Sequence, residues 1–186
     1  MQRLQVVRNH LIASRCNSSE VDKPVLLLVG VGPGLSFSVA KLFGREGFTV
    51  VAARRNAKKL EKTVSDLRNE VPDGTFYGHP VDARLESEVI ELFNKAEQHG
   101  RLEVVIYNIG ANVPSSILDE TARKFRKIWE MACFSGFIVG REAARRFINK
   151  PGHKRTIIFT GATGNKYVDA EIHSLFINCQ NFKKLR

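Results

Sequence analysis

The run Val25-Leu-Leu-Leu-Val-Gly-Val-Gly-Pro-Gly-Leu-Ser36 constrains the fold of this chain more than any other stretch. Its five apolar residues, Val25 to Val29, show no alternation. That suits a strand covered on both faces, as in a parallel sheet. Gly30, Gly32 and Gly34 then permit a tight turn and let bare backbone approach a phosphate. Leu35, Val39 and Phe43, with Leu42 beside them, recur at helical spacing and predict a helix over 35–43. A helix that opens on a glycine turn aims its free N–H groups and positive dipole end at an anion.

The rest of the chain alternates in the same way. A second strand is expected over 48–53, and Asn56 can cap a helix over 57–70. Pro72-Asp-Gly74 marks a turn. A third strand over 75–81 ends at Asp82, and a helix over about 85–98 is broken by Gly100. A fourth strand covers 103–108. A long helix over about 121–149 carries Phe125, Ile128, Trp129 and Ala132 on one face and is stopped by Pro151-Gly152. A fifth strand covers 155–160, and Gly161 begins a turn. Strands alternating with helices at this spacing build parallel βαβ units, so the expected class is α/β with a doubly wound parallel sheet.

The second strand ends in Arg54-Arg55, about 20 residues beyond the glycines. Dinucleotide-binding folds place an acid there when the ribose carries a free hydroxyl. Guanidinium groups suit the additional 2′-phosphate of NADP(H) through charge-assisted bonds. The competing reading is two solvated arginines at a helix start.

The net charge of +10 resembles a nucleic-acid signal until it is located. Arg3, Arg8 and Arg15 precede the first acid, Glu20, and Lys183, Lys184 and Arg186 follow the last, Glu171, which leaves only +4 for the middle. Basic ends on a mildly basic body argue against a nucleic-acid face. No apolar run approaches the roughly 20 residues of a membrane span. Cys16, Cys133 and Cys179 are odd in number and without paired motifs, which points to a reducing compartment and to neither disulfides nor a metal site. Residues 1–19 hold three arginines and three serines but no acid, and Leu4, Val7, Leu11 and Ile12 can share one helical face. That is the composition of a mitochondrial transit peptide, the alternative being a plain extension of a cytoplasmic protein.

Gly30-x-x-x-Gly34, Asp82 after the third strand and Asn108-Ile-Gly110 after the fourth together resemble the short-chain dehydrogenase/reductase family. Val29-Gly-Val-Gly-Pro-Gly34, Ala52-Ala-Arg-Arg55 and Phe159-Thr-Gly-Ala-Thr163 resemble one branch of it. The likeness covers about 24–163 and implies a Rossmann-like fold. It also implies that the backbone of Gly30, Gly32, Gly34, Leu35 and Ser36 holds a pyrophosphate, Ser36 standing where the family has a third glycine. By the same resemblance Asp82 accepts from an adenine amino group, and Asn108 and Gly110 floor the adenosine ribose and nicotinamide end. On residue type alone, Asp82 reads equally as a helix cap and Asn108 as a turn residue.

The family's reduction of carbonyls implies a tyrosine acid, a lysine four residues later that lowers its pKa, a serine and a helix asparagine. Four residues beyond Tyr77, Tyr107 and Tyr167 stand Val81, Ala111 and Glu171, so no Tyr-x-x-x-Lys occurs in the 186 residues. The serine position falls at Ala162 beside Thr163, and the asparagine position near Ala132. Phe176, followed by Gln180, is nearest to the tyrosine position. No residue is therefore assigned a catalytic role.

Three segments are expected: a basic extension over 1–22, a dinucleotide-binding domain over 23–163 and a divergent basic tail over 164–186. The tail matches no family segment and suggests a truncated frame or an alternative last exon. The resemblance further implies a small carbonyl or alcohol substrate and pairing of long helices between copies. An NADP(H)-dependent oxidoreductase is the first functional expectation. A catalytically inactive nucleotide-binding or interaction protein is the alternative, and an RNA-binding role, resting on charge alone, is third.

Overall fold

The computed structural model describes residues 23–110, 118–148, 152 and 154–161. Five parallel strands form one sheet in the order β3-β2-β1-β4-β5. They are β1 (Pro24–Val29), β2 (Thr49–Arg54), β3 (Thr75–Pro80), β4 (Arg101–Tyr107) and β5 (Thr156–Phe159). Between them lie α1 (Leu35–Arg45), α2 (Ala57–Glu70), α3 (Glu86–Gln98), and a long helix made of α4 (Ala122–Trp129) and α5 (Ser135–Ile148). The expected α/β class and its doubly wound parallel sheet are what the molecule shows. Residues 1–22 and 162–186, with the expectations placed on them, lie outside the described residues.

β1 is central because its side chains are apolar on both faces. Leu26 and Leu28 point to one side, into a core with Ala40 and Phe43 of α1 and Leu60, Val64 and Leu67 of α2. Val25, Leu27 and Val29 point to the other, against Val89, Leu92 and Phe93 of α3 and Ile138, Val139 and Ala143 of α5. Helices on both faces are what an unbroken apolar strand requires.

Two helical faces differ from those expected. On α1 the buried residues are Ser36, Ala40, Phe43 and Gly44, while Leu35 and Leu42 are 61% and 50% exposed. The small residues Ser36, Ala40 and Gly44 recur every four positions and let the helix approach closely. A Cβ on Gly44 would stand 2.4 Å from the Phe76 ring. The long helix is not continuous either, because a π-helical turn over Glu130–Phe134 joins α4 to α5. Of the four apolar residues expected on one face, Ile128 and Ala132 are buried, whereas Phe125 and Trp129 stay exposed.

The π turn is anchored from the sheet. Tyr107, buried at the end of β4, donates its hydroxyl to the Met131 carbonyl at 2.9 Å and lies 2.5 Å from the Ser135 hydroxyl. Ser135 in turn donates to Met131 O at 2.6 Å. Widening the helix frees carbonyls that would otherwise lack donors in the interior, and the two hydroxyls supply them. Among the described residues no helix is long and apolar enough to cross a membrane.

Candidate functional site

The strand order reverses between β1 and β4, and open α/β sheets bind ligands at such a switch point, beyond the carboxyl ends of the strands. A cleft of about 430 Å³ lies there. It is walled by Gly30 after β1, Arg54 and Arg55 at the end of β2, Asp82 and Arg84 after β3, Asn108 and Gly110 after β4, and Met131 and Ser135 from the long helix.

Gly30 is the residue on which the turn depends. Its φ is +94°, and a Cβ there would lie 2.7 Å from the backbone carbon and oxygen of Asn108. Both the conformation and the contact demand glycine. The turn is tied over β2, since Gly30 and Val31 donate their N–H groups to the Ala53 carbonyl at 2.9 and 3.1 Å. By contrast, Cβ atoms on Gly32 and Gly34 would meet nothing within 4 Å. Their backbone is bare toward open space, the surface an approaching phosphate would use. Gly34 caps α1 without any side-chain bond, and the first turn of α1 holds no acid, so its positive end stays open.

Ser36 turns its hydroxyl back onto the glycine turn. It is buried, its hydroxyl oxygen accepts the Gly32 N–H at 2.9 Å, and the hydroxyl faces Gly32 O at 3.4 Å. The side chain braces the turn from inside, where a third glycine would leave a gap.

Asn108 links three strands. Its backbone N–H donates to Val29 O at 2.7 Å, its side-chain amide donates to Gly30 O at 3.2 Å, and its Oδ1 accepts from the Thr160 hydroxyl at 2.8 Å. Asp82 has an immediate partner in Arg84, whose Nε and Nη2 donate to its two carboxylate oxygens at 2.9 and 2.5 Å. The Arg84 side chain hydrogen-bonds the carboxylate and so holds Asp82 below its ordinary pKa. The Asp82 backbone N–H donates to Glu88 at 2.7 Å, and the Asp82 carbonyl accepts from Leu85 N–H. Asp82 therefore organises the entry to α3 as well as lining the cleft.

Of the residues singled out in the sequence, the cleft brings together Gly30, Arg54, Arg55, Asp82, Asn108 and Gly110. Gly32, Gly34, Leu35 and Ser36 continue the turn beyond its described walls. Sequence reasoning passed over Lys59, Arg84, Met131 and Ser135, which also line it. Two of these had a signal: Lys59 falls in the first turn of the helix that Arg55 leads into, and Arg84 stands two residues from Asp82. Ser135 had none, since the π turn that orients it has no sequence mark. Ala132, the expected asparagine position, is buried within that turn. Ala162, Thr163, Tyr167, Phe176 and Gln180 lie outside the described residues.

Residues 24–171 match the family model described as short chain dehydrogenase. The short chain dehydrogenase/reductase nsrJ of Aspergillus novofumigatus is 28% identical over 158 residues, which cover 84% of this chain and 58% of that protein. A short-chain dehydrogenase from Rhodopseudomonas palustris, known by crystal structure, superposes with a TM-score of 0.70 at 42% identity over 77% of this chain and 66% of the other. An actinorhodin polyketide ketoreductase variant crystallised with NADPH shares the fold, with a TM-score of 0.73 at 19% identity over 84% of this chain and 59% of the other. The chain thus spans less than two thirds of the length of each of these three relatives.

Proposed function

The chain belongs to the short-chain dehydrogenase family, and from that premise we propose that its cleft binds NADP(H) in preference to NAD(H), in the service of hydride transfer between the cofactor and a small carbonyl or alcohol. The observation that carries the cofactor choice is the end of β2, where Arg54 and Arg55 line the cleft in place of an acid. The residues present suit the dinucleotide. The start of α1, which no side chain caps, offers N–H groups to a pyrophosphate, and the open space beside Gly32 and Gly34 leaves room for it. Asp82 offers a carboxylate to an adenine amino group, and Asn108 holds the turn at Gly30 against the end of β4.

Bound NADPH supplies the hydride in this class of reaction. This chain's own residues fix the cofactor's position, and they do so without a side chain moving a proton: Gly30 sets the turn, Ser36 braces it, and the arginines hold the phosphate. A second reading, that this polypeptide binds the cofactor without turning over substrate, is favoured by the absence of any Tyr-x-x-x-Lys from the sequence.

Titration of the purified chain with NADPH and NADH tests the cofactor choice. NADPH should bind more tightly, and Arg54→Ala should remove most of the difference. An unchanged ratio in that variant would end the assignment. A panel of carbonyl substrates separates the two readings, since robust turnover eliminates the non-catalytic one.

A further inference from the structure

The end of β4 holds two walls of the cleft. Asn108 reaches one way, to the Gly30 carbonyl in the glycine turn. Tyr107, one residue earlier, reaches the other way, into the long helix. Its hydroxyl donates to Met131 O at 2.9 Å and lies 2.5 Å from the Ser135 hydroxyl, which donates to Met131 O at 2.6 Å. Met131 and Ser135 both line the cleft. Met131 is the one a ligand meets, because it is half-buried whereas Ser135 is fully buried.

The register of the helix turns on this point of contact. In an α-helix the Ser135 N–H would bond Met131 O, four residues back. Here it bonds Glu130 O, five residues back, which is the π pattern. The Met131 carbonyl accepts the two hydroxyls instead. The same register shows in the stack of Trp129 on Phe134, five positions on, with ring centroids 5.5 Å apart. Five residues of α-helix would set those side chains about 140° apart, whereas the wider π turn brings them to one side. Relaxing the turn to α-helical register would rotate Met131 by about 100° relative to α5, one residue's worth of helix. Its side chain would then leave the cleft wall.

We propose that the Tyr107 hydroxyl is a positioning group that holds the π turn and thereby sets Met131 as the wall of the β4 half of the cleft, where the nicotinamide end of the dinucleotide lies. The inference rests on the NADP(H) reading and adds a residue for the half of the cofactor beyond Arg54 and Arg55. β1 stands between β2 and β4 in the sheet, so a ribose phosphate held at the end of β2 sends the rest of the cofactor toward β4. Tyr107 is 1% exposed, so its effect on a ligand passes through Met131. Two ligands separate its role from that of the arginines. NADPH spans both halves of the cleft, and 2′,5′-ADP fills the β2 half alone.

Calorimetric titration of the full chain with NADPH and with 2′,5′-ADP tests this, alongside near-ultraviolet circular dichroism of Trp129, the single tryptophan of the sequence. Tyr107→Phe keeps the ring, whose centroid lies 6.0 Å from that of Phe159, and removes only the hydroxyl. It should weaken NADPH about tenfold, the worth of one hydrogen bond, and change 2′,5′-ADP by less than about twofold. The tryptophan band should change as well, because the stack on Phe134 opens. Ser135→Ala withdraws the second hydroxyl from Met131 O and should move both readouts in the same direction by less. Equal weakening of both ligands by Tyr107→Phe reduces the tyrosine to a support of the fold, and unchanged affinities leave it idle; either overturns the proposal. So does a selective loss with the tryptophan band unmoved, since the π turn then transmits nothing. Should Tyr107→Phe fail to fold, Ser135→Ala decides, and an unchanged ratio of affinities with an unmoved band overturns the proposal there. A wild type that binds NADPH no more tightly than NADH overturns the NADP(H) reading and the inference with it.

Discussion

β1 and β5 are both short apolar strands paired in parallel to β4, yet they occupy opposite environments. Val25 to Leu28 are 0% exposed, with β2 and β4 on either side and helices over both faces. Ile157, Ile158 and Phe159 remain half-exposed, with β4 as their one partner strand among the described residues. Similar composition therefore yields a sealed strand or an open one according to what packs around it. The cleft is built from the ends of the sealed strands β1, β2 and β4 and of the edge strand β3, and β5 contributes to it through Thr160, which supports Asn108.

The largest test of that contrast is a pair of truncations. Leu27→Ala removes a side chain with helices packed over it and should cost about 4 kcal/mol, near the upper part of the range for leucine cavities. Ile157→Ala, at the half-open strand, should cost roughly 1–2 kcal/mol because less contact is lost and water can fill the gap. Urea unfolding of both variants measures the difference, and equal costs would break the comparison.

Next in size is the glycine turn at the top of β1. Gly30→Ala forces a positive φ on alanine and drives its Cβ against Asn108, so it should cost roughly 3 kcal/mol and abolish nucleotide binding. Gly32→Ala should leave stability within about 0.5 kcal/mol, since its Cβ would meet no protein atom. A binding loss in Gly32→Ala despite an intact fold would sharpen the contrast, because it would place the ligand on that bare backbone. On the β5 side, Thr160→Val removes the support of Asn108 and should cost about 1 kcal/mol, the net worth of one hydrogen bond.

These effects also show what the sequence could reveal. The buried strand, the turn and the helix over 57–70 were legible because an unbroken apolar run, three glycines and a capping asparagine each force one local outcome. The buried face of α1 was not, because close packing selected the small stripe Ser36-Ala40-Gly44 over the larger leucines. The π turn was invisible for a related reason. It depends on Tyr107 reaching from β4 to the Met131 carbonyl, a contact 24 residues apart that leaves no periodic trace. In the cleft, Arg54 and Arg55 were legible from their place after the second strand. Arg84 carried only its nearness to Asp82 as a signal, and its fork across that carboxylate shows in the folded turn alone.

The smallest effect belongs to the opposite edge of the sheet, β3, which is more exposed than β5 and carries stacked rings on its outer residues. The Tyr77 and His99 rings stack at 3.7 Å, with His79 5.9 Å from His99. Burial lowers the pKa of both histidines from 6.5, and the Lys95 charge lowers that of His79 further. The folded chain therefore favours neutral imidazoles, whereas the unfolded chain takes up protons near pH 6.5. Their contribution is fully present above that pH and is lost as the pH falls toward the depressed folded values. With both groups partly exposed, the loss should stay under about 1 kcal/mol. Urea midpoints at pH 7.5 and pH 5.5 should show it, and a double His79→Gln, His99→Gln variant should flatten the dependence. If the variant keeps the wild-type slope, the sensitivity lies elsewhere, and the β3 edge with its stacked rings is no more responsive to acid than the β5 edge.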